Sequence, residues 1–183
     1  MTSVHALFRC GFPYVKTLGM RRVTSGPVDV APGPDDLVYV LTRANPGVGG
    51  NCIRIVNWSD EDLGTIGGGG TGDGNFQWPT GLVMDKQHNL IVSDEGLNRI
   101  TIMGRDGGFI SKWGEFGCEP GQINRPSSIA LDKDDNLLLV DSFNHRIQKF
   151  TKNGEYISSW GEYGSEDGQF DLPWGIAVRD DGN

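Results

Sequence analysis

Apolar residues recur in short stretches along most of this 183-residue chain, and in the first of them Val28 and Val30, then Val38 and Val40, occupy alternate positions. The clearest stretches are 81–84, 90–92, 99–103 and 109–113, and turn-forming residues such as Asp106-Gly107 separate them. Alternation over so few positions predicts half-buried β-strands, and an Asp-Gly pair accepts the positive φ angles of a tight hairpin turn. Strands joined by short turns predict a four-stranded antiparallel meander.

This pattern returns at a fixed interval. Pro79, Pro126 and Pro173 are spaced 47 residues apart, and segments 77–123 and 124–170 share 18 identities over 47 aligned positions. Sheets that repeat at this period and pack radially form a β-propeller, whereas a leucine-rich solenoid has a shorter repeat. We therefore predict an all-β fold whose blades span about 25–76, 77–123 and 124–170.

Single strands are expected at both ends of this arc. Residues 14–19 (YVKTLG) match the last strand of the later units, and the segment 171–183 begins another unit at Pro173. Residues 1–13 carry no such pattern and form a separate N-terminal segment. The sequence thus predicts three complete blades, with one strand of a partial blade at each end.

The recurring motifs resemble a known family. The segments NLLLVDSFNHRIQKF, NGEYISSWG, GSEDGQF and PWGIAV are similar to NHL repeats, and the resemblance extends over roughly residues 25–183. It implies a propeller that usually has six blades, so the remainder of the propeller is expected to be missing from this chain; self-association of two open arcs is a disfavoured alternative. It implies no single activity, because similar repeats serve as protein-binding or RNA-binding platforms, as sensor domains and as a peptide-amidating lyase.

Charge and composition narrow the classes of partner. The net charge of −8 disfavours a sequence-independent hold on nucleic acid, which needs a cationic face. The three cysteines are odd in number and lack metal-knuckle spacing, so we expect neither a disulfide framework nor a zinc knuckle. No stretch resembles a signal peptide or a membrane span, which favours a cytoplasmic location.

Two pairs of charged residues recur at the period of the repeat. Asp94 and Asp141 end the second strand of their units, and Arg99 and Arg146 start the third. Their recurrence favours structural ion pairs across the hairpin over an active site. The first unit is expected to lack the pair, since Leu41 and Thr42 stand near the Asp position and Cys52 near the Arg position.

Three other features have ordinary structural explanations. The glycine run 67–74 lies in register with the blade-to-blade crossovers, and no Gly-Lys-Ser/Thr sequence follows it, which disfavours a phosphate loop. The segment 132–136 (DKDDN) lacks the glycine and glutamate of a calcium loop and fits a hairpin turn. The three histidines share no ligand spacing, although the lyase that the family resemblance includes holds zinc through histidines. We therefore predict no cofactor and no metal, with zinc or calcium as disfavoured alternatives.

One end of the blades is the best candidate for a binding surface. The crossovers and the turns between second and third strands mark the same strand ends, so they lie on the same face of each meander. This face, here called the channel-mouth face, is expected to collect aromatic and polar residues of the kind that binding sites use. The candidates are Trp78, Glu95, Asn98, Arg125, Asn144, His145 and Trp174.

The favoured function is a non-catalytic platform for a protein or small-molecule ligand, because the chain lacks a recognisable catalytic set. A metal-dependent propeller enzyme, similar to a peptidyl-amidoglycolate lyase or a lactonase, is the first alternative. An RNA-binding propeller is the second, and the acidic balance disfavours it.

Overall fold

The computed structural model describes residues 26–43 and 50–179. The expected strand at 14–19 and the segment 1–13 lie outside the described residues, and the limits of the blades stay predictions. Within the described part the only helix is one short 3-10 turn, Ser142–Asn144, and no helix is long and apolar enough to cross a membrane. The strands are β1 (Pro27–Pro32), β2 (Leu37–Thr42), β3 (Ile53–Asn57), β4 (Asp62–Ile66), β5 (Gly68–Gly69), β6 (Asn75–Phe76), β7 (Pro79–Met84), β8 (Leu90–Asp94), β9 (Arg99–Met103), β10 (Phe109–Trp113), β11 (Pro126–Leu131), β12 (Leu137–Asp141), β13 (Arg146–Phe150) and β14 (Tyr156–Trp160).

These strands form three antiparallel sheets of four strands, each in chain order: β1–β4 (blade 1), β7–β10 (blade 2) and β11–β14 (blade 3). The predicted all-β fold with four-stranded antiparallel blades is confirmed. The sequence pattern did not predict β5 and β6, which pair in parallel inside the crossover between blades 1 and 2. β5 lies within the glycine run and β6 follows it. The run is therefore part of a crossover between blades and does not lead into a helix.

The hydrophobic core lies between blades. One cluster joins blades 1 and 2 through large buried side chains that include Tyr39, Phe76 and Leu90. A second joins blades 2 and 3 and includes Ile100 and Phe150. Full burial of side chains of this size stabilises a fold by about 1.5–3 kcal/mol each. Each sheet therefore depends on its neighbours for most of its burial.

The first strand of each blade lies innermost. β7 contacts both β1 and β11, and polar groups connect these inner strands. Thr80 Oγ1 donates to the Pro126 carbonyl at 2.9 Å, and Ser127 Oγ donates to the Trp174 carbonyl at 2.9 Å, one repeat later. The inner strands therefore lie side by side along the inner edge of the three blades, here called the channel wall.

The expected strand at Pro173 is not formed. Residues 173–179 have no strand assignment, although Ser127 Oγ and Ser142 Oγ both lie within hydrogen-bonding distance of the Pro173 carbonyl. A β-strand requires a ladder of backbone hydrogen bonds to a neighbouring strand, and no described segment supplies one beside these residues. The segment thus occupies the place of the next inner strand without its pairing.

Trp113, on the outer strand of blade 2, packs against blade 3. The indole of Trp113 lies 4.8 Å from the ring of Phe150, and its Nε1–H donates to the Lys152 carbonyl at 3.0 Å. The indole also covers Gly154, where a Cβ atom would come within 2.6 Å of the ring. Gly154 has a φ of 94°, so both the turn and the packing require glycine.

Candidate binding surface

Three of the predicted site residues meet in one cleft of the channel-mouth face. Trp78, Glu95 and Arg125 line it together with Gln77 and Gly96, and its volume is about 310 Å³. The Arg125 guanidinium lies 3.5 Å from Glu95 Oε1. The cleft therefore combines an indole wall with a neutralised pair of opposite charges.

Backbone hydrogen bonds fix the two loops that form this cleft. Glu95, in the turn between β8 and β9, donates its N–H to the Trp78 carbonyl of the preceding crossover at 3.0 Å. In blade 3 the N–H of Phe143 donates to the Asn124 carbonyl at 3.2 Å. Donor and acceptor are each displaced by one residue from the strict repeat positions. The crossover and the turn are thus held side by side in both blades, as the meander topology predicts.

A glycine opens the cleft in blade 2. Gly96 occupies the repeat position at which blade 3 carries Phe143, an aromatic residue that is 45% exposed. A Cβ atom on Gly96 would lie 3.1 Å from Trp78 Cβ, so a larger side chain there would crowd the indole. The surface therefore differs between blades at a position where the repeat does not enforce one residue.

Arginines cover two of the aromatic rings on this face. The guanidinium carbon of Arg43 lies 4.5 Å from the ring centre of Trp78, and that of Arg125 lies 4.6 Å from the ring centre of Phe143. Such cation–π pairs contribute about 0.5–1 kcal/mol at exposed sites. The sequence analysis missed Arg43, Phe143 and Gly96. Arg43 reaches Trp78 from the preceding unit, and positions 96 and 143 carry different residues in their two units, so none of the three leaves a periodic signal.

Asn98 and His145, two further candidates, have side chains that bind the protein itself. Both residues are in the left-handed region, with φ of 48° and 53°. Asn98 Oδ1 accepts the Arg125 N–H at 2.7 Å, and His145 Nδ1 accepts the Leu172 N–H at 3.2 Å, one repeat later. The Asp171 carboxylate lies 3.8 Å from the same Nδ1 atom.

Asn144 is also held by the protein, as part of a buried network around Asp141. Its Nδ2 donates to the Gly117 carbonyl and to Asp141 Oδ2, both at 2.8 Å. Asp141 Oδ2 further accepts Arg146 Nε at 2.8 Å and Gln148 Nε2 at 2.9 Å. The Asp141 side chain is fully buried, so the network joins the strand ends of blade 3 and Asp141–Arg146 forms the expected ion pair.

The expected ion pair between Asp94 and Arg99 is wrong. The Asp94 carboxylate accepts backbone N–H groups at the start and end of its hairpin, among them those of Gln77 and Trp78, at 2.7 and 3.0 Å. Arg99 donates instead to three carbonyls of the preceding crossover, those of Thr71, Gly72 and Asn75. Arg99 Nε is left buried without a hydrogen-bond partner.

Residue 101 offers a physical reason for the difference between blades. Gln148 of blade 3 corresponds to Thr101 of blade 2, whose shorter side chain places no amide beside Asp94. The Thr101 hydroxyl is itself buried without a partner. In blade 1 the position of the aspartate carries Thr42, whose Oγ1 donates to the Cys52 carbonyl at 2.9 Å.

Trp174, the last candidate, lies in a different cleft. It is 64% exposed and lines the channel with Asp29, Thr80, Ser127 and other residues of the inner strands, around a volume of about 140 Å³. By repeat position it corresponds to Ser127, whereas Leu172 is the counterpart of Arg125. Trp78 and Trp174, which the sequence analysis placed on one face, therefore line two separate clefts.

The described residues also bear on metal binding. Residues 26–43 and 50–179 contain no group of three His, Cys, Asp or Glu side chains arranged to hold a metal ion, and Cys52 and Cys118 are free thiols. In the turn 132–136, burial raises the pKa of Asp132, but hydrogen bonds from Lys149, Asn136 and the backbone outweigh it and leave the pKa well below its usual value. These bonds make the segment a hairpin turn, with a carboxylate that is paired with Lys149 at 2.8 Å.

One segment of the chain matches a known repeat family. The NHL repeat family matches residues 124–150, which span the end of one crossover and the strands β11 to β13. The protein lin-41 of Caenorhabditis elegans is 44% identical over 48 residues, which cover 26% of this chain and 4% of that protein.

Solved structures resemble a larger part of the chain. Hydrazine synthase of Kuenenia stuttgartiensis superposes with a TM-score of 0.60 at 14% identity, over 93% of this chain and 44% of its own. Virginiamycin B lyase of Staphylococcus aureus gives 0.59 at 17% identity, over 82% and 45%. A functionally unknown protein of Desulfotomaculum acetoxidans gives 0.60 at 16% identity, over 87% and 47%. This chain thus spans less than half of each structure, and identities this low bear on the fold alone.

Proposed function

We propose that this chain, which consists of NHL-repeat β-propeller blades, is a non-catalytic platform that binds a protein partner at the cleft of Trp78, Glu95 and Arg125. One observation carries the proposal: a half-exposed indole lies beside an arginine in a cleft that is already formed. Tryptophan and arginine are the residues that most often dominate the energy of protein interfaces.

The cleft is also preorganised. Arg43 stacks on Trp78, and Arg125 is positioned both by Phe143 and by the Glu95 carboxylate. Each long side chain that is ordered before binding avoids a cost of about 0.5–1.5 kcal/mol on association. These contacts support a rigid recognition surface more than a merely solvated one.

Affinity capture with the wild-type chain and with Trp78→Ala tests the proposal. Trp58→Ala is the matched control, because Trp58 is 50% exposed and lies in the turn between β3 and β4, at the opposite ends of the strands. We expect wild type and Trp58→Ala to capture the same partner. Trp78→Ala should bind that partner at least tenfold more weakly, equivalent to about 1.4 kcal/mol.

A second variant uses the repeat itself. Gly96→Phe places the blade 3 residue into blade 2 and fills the cleft against Trp78. It should abolish capture while thermal unfolding remains cooperative. Equal capture by wild type, Trp78→Ala and Gly96→Phe would refute the assignment of the platform to this cleft.

A further inference from the structure

Blade 1 departs from the repeat at the wall of the channel. Strand pairing aligns Asp29, opposite Leu41, with Gly81, opposite Ser93, and the same repeat position in blade 3 is Ser128. The structural carboxylates of this fold recur, as Asp94 and Asp141 do. A carboxylate that occurs in only one blade is therefore better explained by a binding function at that position than by a role in the fold.

The charge of Asp29 has no cationic partner within the described residues. Its Oδ1 accepts the Val30 N–H at 2.8 Å and its Oδ2 accepts the Leu82 N–H at 2.7 Å. None of the ion pairs in the part of the chain that the structure describes involves Asp29. An ionised carboxylate can accept about four hydrogen bonds, so each oxygen keeps acceptor capacity.

An aromatic side chain shares the cleft with this carboxylate. Trp174 and Asp29 line the same 140 Å³ volume, together with the hydroxyl-bearing residues Thr80, Ser127 and Ser128. An indole face, a carboxylate and hydroxyl oxygens are the groups that favour an organic cation.

The protein's own contacts indicate which cation fits. On the adjacent part of this surface, arginines stack on aromatic rings, with distances of 4.5 Å for Arg43 on Trp78 and 4.6 Å for Arg125 on Phe143. The planar guanidinium group can stack and donate two parallel hydrogen bonds at once, which a lysine ammonium does not do. No ring contact of Trp174 occurs among the described residues.

We propose that the channel cleft of Asp29 and Trp174 binds an arginine side chain of the protein partner. The guanidinium stacks on the Trp174 indole and donates to the Asp29 carboxylate. The proposal rests on the proposed function, because it assumes a protein partner, but it concerns a separate cleft. The net charge of −8 favours encounter with a basic segment.

Calorimetric titration with Nα-acetyl-L-arginine N-methylamide tests the proposal, and the citrulline counterpart provides an uncharged probe of similar shape. We expect saturable binding of the arginine probe and binding of the citrulline probe that is at least about tenfold weaker, since charge-assisted hydrogen bonds are stronger than those of a neutral donor. Trp174→Leu and Asp29→Asn should each weaken the arginine probe by a similar factor, and Trp58→Ala should not.

Trp174→Leu keeps the test valid if Asp29→Asn fails to fold, because Trp174 is bonded to blade 3 through its main-chain carbonyl. Equal binding of the two probes, no saturable binding by the wild type, or wild-type affinity in Trp174→Leu would overturn the proposal. The arginine probe does not require Trp78. If the probe binds but partner capture does not depend on Trp78, the platform is rejected and the channel cleft stands. If capture depends on Trp78 but the probe does not bind, only the channel cleft is rejected.

Discussion

Thr101→Gln should stabilise the protein, because it transfers the buried network of blade 3 into blade 2. In blade 3, Gln148 Nε2 donates to Asp141 Oδ2 at 2.9 Å, and its Oε1 accepts the Gly121 N–H at 3.0 Å. In blade 2 the shorter Thr101 leaves its own hydroxyl and Arg99 Nε buried without partners.

The expected magnitude follows from the Thr101 hydroxyl. A buried polar group without a partner costs about 1–3 kcal/mol, and a glutamine at residue 101 removes the hydroxyl and brings an amide to Asp94, as Gln148 does to Asp141. We expect a gain of about 1–2 kcal/mol, allowing for crowding by the longer side chain. For a chain of 150–250 residues, each kcal/mol raises Tm by about 2–4 °C.

Urea unfolding and calorimetry of Thr101→Gln and of the reciprocal variant Gln148→Thr measure the effect. The reciprocal change should destabilise by about 1–3 kcal/mol, because it removes the amide from Asp141 and Gly121. A Tm that is unchanged or lowered by Thr101→Gln, together with a loss in Gln148→Thr, would refute the view that blade 2 lacks these bonds. It would mean that solvent or local adjustment already satisfies the Thr101 hydroxyl.

Three other perturbations have defined outcomes. Asp141→Ala should destabilise by about 3–5 kcal/mol in urea unfolding, since it leaves the Arg146 charge buried without its partner; a loss below 1 kcal/mol would contradict this. Gly154→Ala should lower Tm because the new Cβ meets Trp113 and the φ of 94° disfavours alanine, and an unchanged Tm would contradict the packing. Acid should also destabilise the fold: the lowered pKa of Asp132 gives stability that is complete above the unfolded pKa of about 3.9 and is lost as pH falls through the folded pKa. Lys149→Met, which removes the partner of Asp132, should reduce this acid sensitivity in unfolding scans between pH 5 and 2, about the range of the titration.

The fold was predictable because its signal is repeated. The spacing of Pro79, Pro126 and Pro173 and the alternating strands required only local chemistry and counting. The strand expected at Pro173 failed for the opposite reason: its formation depends on a neighbouring strand, and alternation along one segment carries no information about that neighbour.

The candidate surface was predictable only in part. The topology correctly brings Trp78, Glu95 and Arg125 together, since turns and crossovers share one end of each blade. Contacts across blades are absent from the sequence pattern, which is why the stacking of Arg43 on Trp78 was missed. Recurrence gave the wrong prediction for Asp94. The same Asp-to-Arg spacing accompanies an ion pair in blade 3 and two separate sets of backbone hydrogen bonds in blade 2, and the difference follows from the residue at positions 148 and 101.

The uniform blades have a mechanical consequence. Hydrogen-bond ladders hold the strands within a blade, whereas adjacent blades meet mainly through apolar side chains and scattered polar links. Under tension applied at its ends, such a chain is expected to rupture one sheet at a time. Each rupture of a 47-residue unit releases about 16 nm of slack at roughly 3.4 Å per residue, giving a regular sawtooth in a force–extension trace.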